Sequence, residues 1–250
     1  MQLHRLLSLV RQAIDDYRLI DAGDKIAVGV SGGKDSLVLL TALHHLQRFY
    51  PTPFTIHAIT VNAGFSDFDL SPVQRYCDER SIPCTIVDTD IAKIVFDERH
   101  ESNPCSLCAK LRKGAFNQKA IELNCNKVAY AHHRDDLINT LLMSMMFEGN
   151  IHTFSPKTEL DRTGLTLIRP LIYVKEVDVI GFQRKYDLPI CKNPCPADKK
   201  TTREYVNKLT KQLNRDFPGV KDRIFHGIQS ANFDDWPELN MNRRNTNGNG

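Results

Sequence analysis

The sequence predicts an α/β fold: a parallel sheet with helices on both faces, followed by a helical C-terminal extension. Three observations carry this. Short β-branched runs alternate with amphipathic stretches from residue 25 to about residue 148, an order that implies parallel strands joined by crossover helices. The first apolar run, 26–30, leads straight into Ser31-Gly32-Gly33-Lys34-Asp35-Ser36 and then into apolar 37–40, which places strand, glycine turn and helix in register. The last third reads instead as three helices, at 175–186, 199–217 and 220–231.

Taken in order, Leu3, Leu6, Leu7, Val10, Ile14 and Tyr17 recur at helical spacing with charges between them. They predict an amphipathic helix packed on the core within an N-terminal segment 1–24, not a secretion signal. A helix over 35–47 follows the glycine turn, then a strand at 54–61, a helix at 72–80 and a strand at 84–87. Residues 93–103 predict an irregular approach to a helix at 106–124, whose apolar positions are Leu107, Leu111, Ala115, Ala120 and Ile121. A strand at 127–131 precedes a helix at 135–148. That helix is apolar on most sides through Leu137, Ile138, Leu141, Leu142, Met145 and Met146, so it is expected to be buried and to end at Gly149. One domain, 1–236, is expected, with an α/β core at 25–170 and the extension at 171–236. Residues 237–250, rich in Asn, Arg and Gly, predict a disordered tail.

The chain has 250 residues, 41% of them hydrophobic and 25% charged, as in ordinary soluble globular proteins. A formal charge of +3 is too small to point to nucleic acid by itself, so any such argument rests on local clustering. No apolar run approaches the roughly 20 residues of a membrane span. Seven cysteines, an odd number, without a secretion signal point to a reducing cytoplasm and to metal or redox work rather than a disulfide framework.

A glycine turn at a helix N-terminus offers free N–H groups and the positive end of the helix dipole, which suits a phosphate. Gly32 and Gly33 permit close backbone approach, Lys34 adds a positive charge, and Ser31 and Ser36 add hydroxyls. The spacing is not that of a Walker A loop: three residues separate Gly29 from Gly33, and Asp35 stands where Ser or Thr is needed. The string resembles the PP-loop of the ATP pyrophosphatase superfamily. The resemblance implies that Ser31, Gly32, Gly33, Lys34, Asp35 and Ser36 hold the pyrophosphate part of ATP, with chemistry at the α-phosphate.

Cys105-Ser106-Leu107-Cys108 opens the helix at 106–124. Alone it fits a redox pair or half a zinc site, and Cys191 and Cys195 are candidates for further thiolates. Cys77, Cys84 and Cys125 lie in or beside regular elements and read as buried structural thiols. The cysteine helix running on to Leu111-Arg112-Lys113-Gly114 resembles that of the tRNA 2-thiocytidine synthetase family (TtcA). His132-His133-Arg134-Asp135-Asp136 with Thr140 and Leu141, and Ile168-Arg169-Pro170-Leu171, share the resemblance, which runs from about residue 20 to residue 232.

In that family three cysteines hold a 4Fe–4S cluster and leave one iron without a protein ligand. The resemblance places the ligands at Cys105, Cys108 and Cys195, where Pro196 follows, with Cys191 as the other candidate for the third. It implies ATP and Mg²⁺ as cofactors and Asp136, Arg112 and Lys34 as reacting groups. Val61, Asn62 and His132 would join the PP-loop in holding nucleotide, although the loop after Val61 is shorter than the family's and lacks its acidic residue. The implied partners are tRNA and a sulfur source, either sulfide or a cysteine-desulfurase-type donor, in the cytoplasm and away from membranes; a homodimer is compatible. Lys199, Lys200, Arg203, Lys208, Lys211 and Arg215 cluster along one helix opposite Val206, Leu209, Leu213 and Phe217, a stripe suited to a phosphate backbone. Three other readings share these residues: thiolation through a cysteine persulfide without a cluster, a PP-loop ligase or amidotransferase, and a non-enzymatic nucleotide- or cluster-binding regulator.

Overall fold

The computed structural model describes residues 1–99, 104–192, 194–195, 202–231, 233 and 236. Pro196, Lys199, Lys200 and the tail at 237–250 lie outside them. Helix α1 (Leu3–Tyr17) buries Leu6, Val10, Ala13, Ile14 and Tyr17, as its spacing predicts. The chain then alternates: β1 (Asp24–Gly29), α2 (Lys34–Leu46), β2 (Phe54–Asn62), α3 (Ser71–Asp78), β3 (Cys84–Asp88), a short α4 (Ile91–Lys93) that runs into a π-helical turn, α5 (Pro104–Glu122), β4 (Lys127–Ala129) and α6 (Arg134–Met143). A hairpin of β5 (Lys157–Leu160) and β6 (Leu165–Ile168) follows, then α7 (Glu176–Lys185), α8 (Thr202–Asp216) and α9 (Val220–Ser230).

The sheet has strand order β3-β2-β1-β4-β6-β5. All pairs are parallel except β5 with β6. Strand alternation sends Ile26, Val28, Ile56 and Ala58 to one face and Ala27, Ile59 and Val61 to the other. The first face packs against α1, α2 and α7, and the second against α5, so helices cover both faces. The winding reverses between β1 and β4, and open α/β sheets bind ligands at the carboxyl edge of such a reversal. The opposite edge is pinned by buried Lys127, whose Nζ stands 2.7 Å from both Asp21 and Asp24 and donates to the Leu19 carbonyl at 3.0 Å.

The structure departs from the sequence reading in three places. The helix at 135–148 becomes π-helical from Ser144 to Glu148, and Met145, Met146 and Phe147 are about half exposed, not buried. A run of apolar residues gives no period from which to locate the buried side. Gly149 ends the element at φ +64°, as expected of a left-handed cap. The β5–β6 hairpin was not foreseen: each strand is only four residues long, with no β-branched run. Helix α8 buries Val206 and Thr210 and leaves Phe217 62% exposed, so Phe217 is not on its packed side.

Candidate active site

The glycine turn, the cysteine pair of α5, Cys195 and the acidic cap of α6 come together at the carboxyl edge of β1 and β4. Gly32 turns the chain at φ +77°, and Gly33 is the N-cap of α2. Ser36 braces the turn: its Oγ donates to the Gly33 carbonyl at 2.8 Å and accepts the Ser31 N–H at 3.2 Å. The Lys34 ammonium rests on both oxygens of Asp35 at 2.9–3.0 Å. The turn therefore presents the N-terminus of α2, the Lys34 cation and the Ser31 hydroxyl to one space, with the Ser36 hydroxyl spent inside the turn.

That space is a cavity of about 580 Å³. Ser31, Gly33, Lys34 and Asp35 form one wall, and Cys105, Cys108 and Arg112 of α5 form another. His133 and Asp136 come from the N-terminus of α6, and Cys191, Pro194 and Cys195 close the cavity from the segment after α7. Val61, Phe65 and Phe96 supply an apolar side, with the two rings 6.0 Å apart. Cys105, Cys108 and Cys195, distant in the chain, thus share one cavity with the glycine turn. Burial pushes the Cys108 thiol above its usual pKa; the nearby Arg112 guanidinium opposes this, while Cys195 and Cys105 add to it. Cys191 is buried, with its N–H donated to the Gly32 carbonyl at 2.9 Å. Among the described residues no three His, Cys, Asp or Glu side chains gather closely enough to hold a single metal ion. A cluster asks for less, because each thiolate takes its own iron.

The two aspartates separate by environment. Asp135 is 6% exposed and accepts from the Lys221 ammonium and the Glu176 N–H, both at 2.7 Å. Burial alone would raise its pKa, but those two bonds and the Lys221 charge together outweigh it and hold the carboxyl below the usual range. Asp136 lines the cavity and also caps α6: its carboxylate accepts the His133 N–H at 3.0 Å while its own N–H is donated to His133 Nδ1 at 3.3 Å. Arg203 of α8 reaches Asp136 at 3.6 Å.

His132 does not line this cavity, contrary to the sequence expectation. Its ring packs 4.9 Å from Phe154 and 6.1 Å from Tyr130, and burial pulls its pKa down to about 4. The neighbouring His133 is the histidine in the site. The two differ by one position in an extended segment, which turns their side chains to opposite sides, so sequence spacing alone could not choose between them. Asn62 likewise spends its side chain on the local turn, donating to Asp88 at 2.9 Å and accepting the Gly64 N–H at 3.1 Å. Arg169 of the Ile168–Leu171 motif is buried away from the cavity. It donates to the Ser155 carbonyl and to Thr158 Oγ1 and lies over Phe154, which braces the β5–β6 hairpin. Arg203, Glu176 and Asn139 line the cavity without having been singled out as site residues. Arg203 had been read only as part of the basic cluster, Glu176 opens α7, and Asn139, in the middle of α6, carried no signal.

Of the buried structural thiols expected, Cys77 and Cys125 are buried, and Cys84 is half-buried beside Cys77. Of the basic stripe, Lys211 is tied to Glu176 at 2.9 Å, whereas Lys208 is 75% exposed.

Known proteins resemble this chain over most of its length. The PP-loop domain family matches residues 4–213. A tRNA-cytidine(32) 2-sulfurtransferase of Pelobacter propionicus is 35% identical over 230 residues, covering 91% of this chain and 86% of its own. One from Geotalea uraniireducens is 36% identical over 232 residues, 91% of each chain. Among solved structures, the U34-tRNA thiolase NcsA of Methanococcus maripaludis, determined with its 4Fe–4S cluster, aligns over 88% of this chain and 76% of its own, with a TM-score of 0.72 at 27% identity. A glycine turn after β1, a cysteine pair at the start of α5 and an acidic cap on α6 all face one cavity, and together with relatives of this similarity they place the chain in the TtcA family of PP-loop ATP pyrophosphatases.

Proposed function

We propose that this protein is an ATP-dependent tRNA sulfurtransferase that converts a tRNA cytidine to 2-thiocytidine. The observation that carries the reading is the shared cavity: three thiols, the glycine turn, Arg112 and Asp136 all face one space. The printed names of the relatives and the cluster of the structural neighbour support it.

The glycine turn and Lys34 hold the pyrophosphate of ATP through N–H groups and charge, with the Val61, Phe65 and Phe96 side available to the adenine. Asp35 and Asp136 are the hard oxygen donors that an accompanying Mg²⁺ takes. The carbonyl oxygen of the base attacks the α-phosphate and pyrophosphate leaves, which makes the oxygen part of an AMP leaving group. Sulfide then replaces that group at the same carbon, and AMP departs. No electron is gained or lost by the base. Arg112 and Lys34 stabilise the charge that develops on AMP and pyrophosphate, so the protein works by positioning and electrostatics. Three soft thiolates, Cys105, Cys108 and Cys195, suit a 4Fe–4S cluster, and a cluster one protein ligand short supplies an open position for sulfide. Cys191, packed on Gly32, favours Cys195 as the third ligand. The exposed cations of α8, Lys208 and Arg215 above all, face outward to the RNA backbone.

The test is anaerobic reconstitution with iron and sulfide, then incubation with ATP and tRNA and mass spectrometry of the nucleosides. The expected result is 2-thiocytidine formed together with AMP and pyrophosphate. An unchanged nucleoside profile with no AMP would overturn the proposal.

A further inference from the structure

We infer that Cys191 is a positioning residue: it ties the glycine turn to the segment that carries Cys195, so that nucleotide at the turn and the placement of the Cys195 thiol are coupled. The inference rests on the reading above, in which both elements serve one reaction.

The contact between Cys191 and Gly32 leaves no slack. The Cys191 N–H donates to the Gly32 carbonyl at 2.9 Å. A Cβ placed on Gly32 would stand 2.8 Å from Cys191 Cβ and 3.2 Å from its Sγ, so the Cys191 side chain already lies against the Gly32 backbone. Gly32 is also the residue that turns the chain at φ +77°. Cys191 is 8% exposed and belongs to the main core, with the Val73 backbone of α3 close to its thiol. It is therefore held between the turn and α3. Four residues later Cys195 faces Cys108 in the same cavity, with Pro194 beside it stiffening the chain. Four residues span at most about 14 Å, so a shift of the turn that moves Cys191 has only a short path to Cys195. Phosphate entering the turn acts on the N–H groups next to the Gly32 carbonyl. Packed elements transmit such displacements because close-packed interiors do not absorb them.

The experiment uses the full chain without iron and the analogue α,β-methylene-ATP. Alkylation of each cavity cysteine by iodoacetamide is followed by peptide mass spectrometry. The nucleotide is expected to change the Cys195 rate about fivefold relative to Cys105, the size of an ordinary coupling between sites. Cys191→Ser keeps Cβ and the N–H and should retain that change. Cys191→Gly removes the packing and should bring it below about twofold, while still binding the analogue. Should that variant fail to fold, Gly32→Ala decides: its Cβ pushes on Cys191 and should alter the Cys195 rate with no nucleotide present. No nucleotide effect in the unaltered chain, an equal effect in Cys191→Gly (direct shielding) or an unaltered Cys195 rate in Gly32→Ala would each overturn the inference. Normal thiolation with no coupling removes this inference alone, and coupling without thiolation removes the functional proposal alone.

Discussion

His133 joins the N-termini of two helices: its Nε2 stands 3.6 Å from Asp35 of α2 while its Nδ1 accepts the Asp136 N–H of α6 at 3.3 Å. Nδ1 also stands 3.3 Å from the Asp136 carboxylate, so the ring lies between one acid from each helix. The ring therefore bridges the glycine turn and the acidic cap. His133→Asn supplies another acceptor for the Asp136 N–H and should cost no more than about 0.5 kcal/mol, whereas His133→Ala should cost about 1 kcal/mol. Both lose the contact to Asp35 and should raise KM for ATP about tenfold. Urea titration and steady-state kinetics on the two variants check this.

Asp135 and Asp136 should fail in opposite ways. Asp135→Ala leaves the partly buried Lys221 without its carboxylate and should cost about 2 kcal/mol of stability. Asp136→Asn should cost about 1 kcal/mol, as loss of a cap, but lower kcat on the order of a hundredfold. The Asp135 carboxyl has a lowered pKa in the folded chain, so its stabilisation is full above the ordinary carboxylate pKa and is lost as pH falls through the folded value. Acid titration of Asp135→Asn should show a flatter decline below about pH 4.

His132 makes the fold sensitive to mild acid. Burial keeps its ring neutral in the folded chain down to about pH 4, whereas an unfolded histidine takes up a proton near pH 6.5. Stability is full above that upper value and falls as pH drops toward the lower one. Between pH 7 and pH 5 the loss should be about 2 kcal/mol. His132→Phe, packed between Phe154 and Tyr130, should remove it, as read from urea midpoints at the two pH values.

Replacement of Cys105, Cys108 or Cys195 by Ala should each abolish iron retention after anaerobic reconstitution and abolish turnover. Cys125→Ala should retain both, at a cost of about 1 kcal/mol for the vacated core volume. Iron retained in Cys195→Ala would remove Cys195 from the ligand set.

Lys127 tests the edge of the sheet opposite the site. Lys127→Ala leaves the buried Asp24 without its cation and should destabilise the chain by about 3 kcal/mol while leaving the KM for ATP unchanged. Denaturant melts with parallel kinetics separate the two effects.

The strand–turn–helix at 26–40 was legible because three signals coincide within fifteen residues: a β-branched run, two glycines and an apolar helix. Helix α1 was legible because its charges mark its outer side. The β5–β6 hairpin was not, since strands of four residues carry too little alternation, and the brace from Arg169 to Ser155 and Thr158 is a tertiary contact. The exposed turn of Met145, Met146 and Phe147 was misread because apolar composition says how much could be buried, not whether a neighbour is there to bury it.

Local order decided much: the alternation of strands and helices, the glycine turn at the end of β1, and the cysteine pair at the start of α5 all follow from residue type and spacing. Tertiary structure alone decided the rest. It seated Cys195 opposite Cys108, chose His133 over His132 for the cavity, and gave Asp135 to Lys221 and Asp136 to the site. Spacing along the chain sets the direction of a side chain within its own element. Which other element stands in that direction depends on how the sheet winds and where distant helices pack.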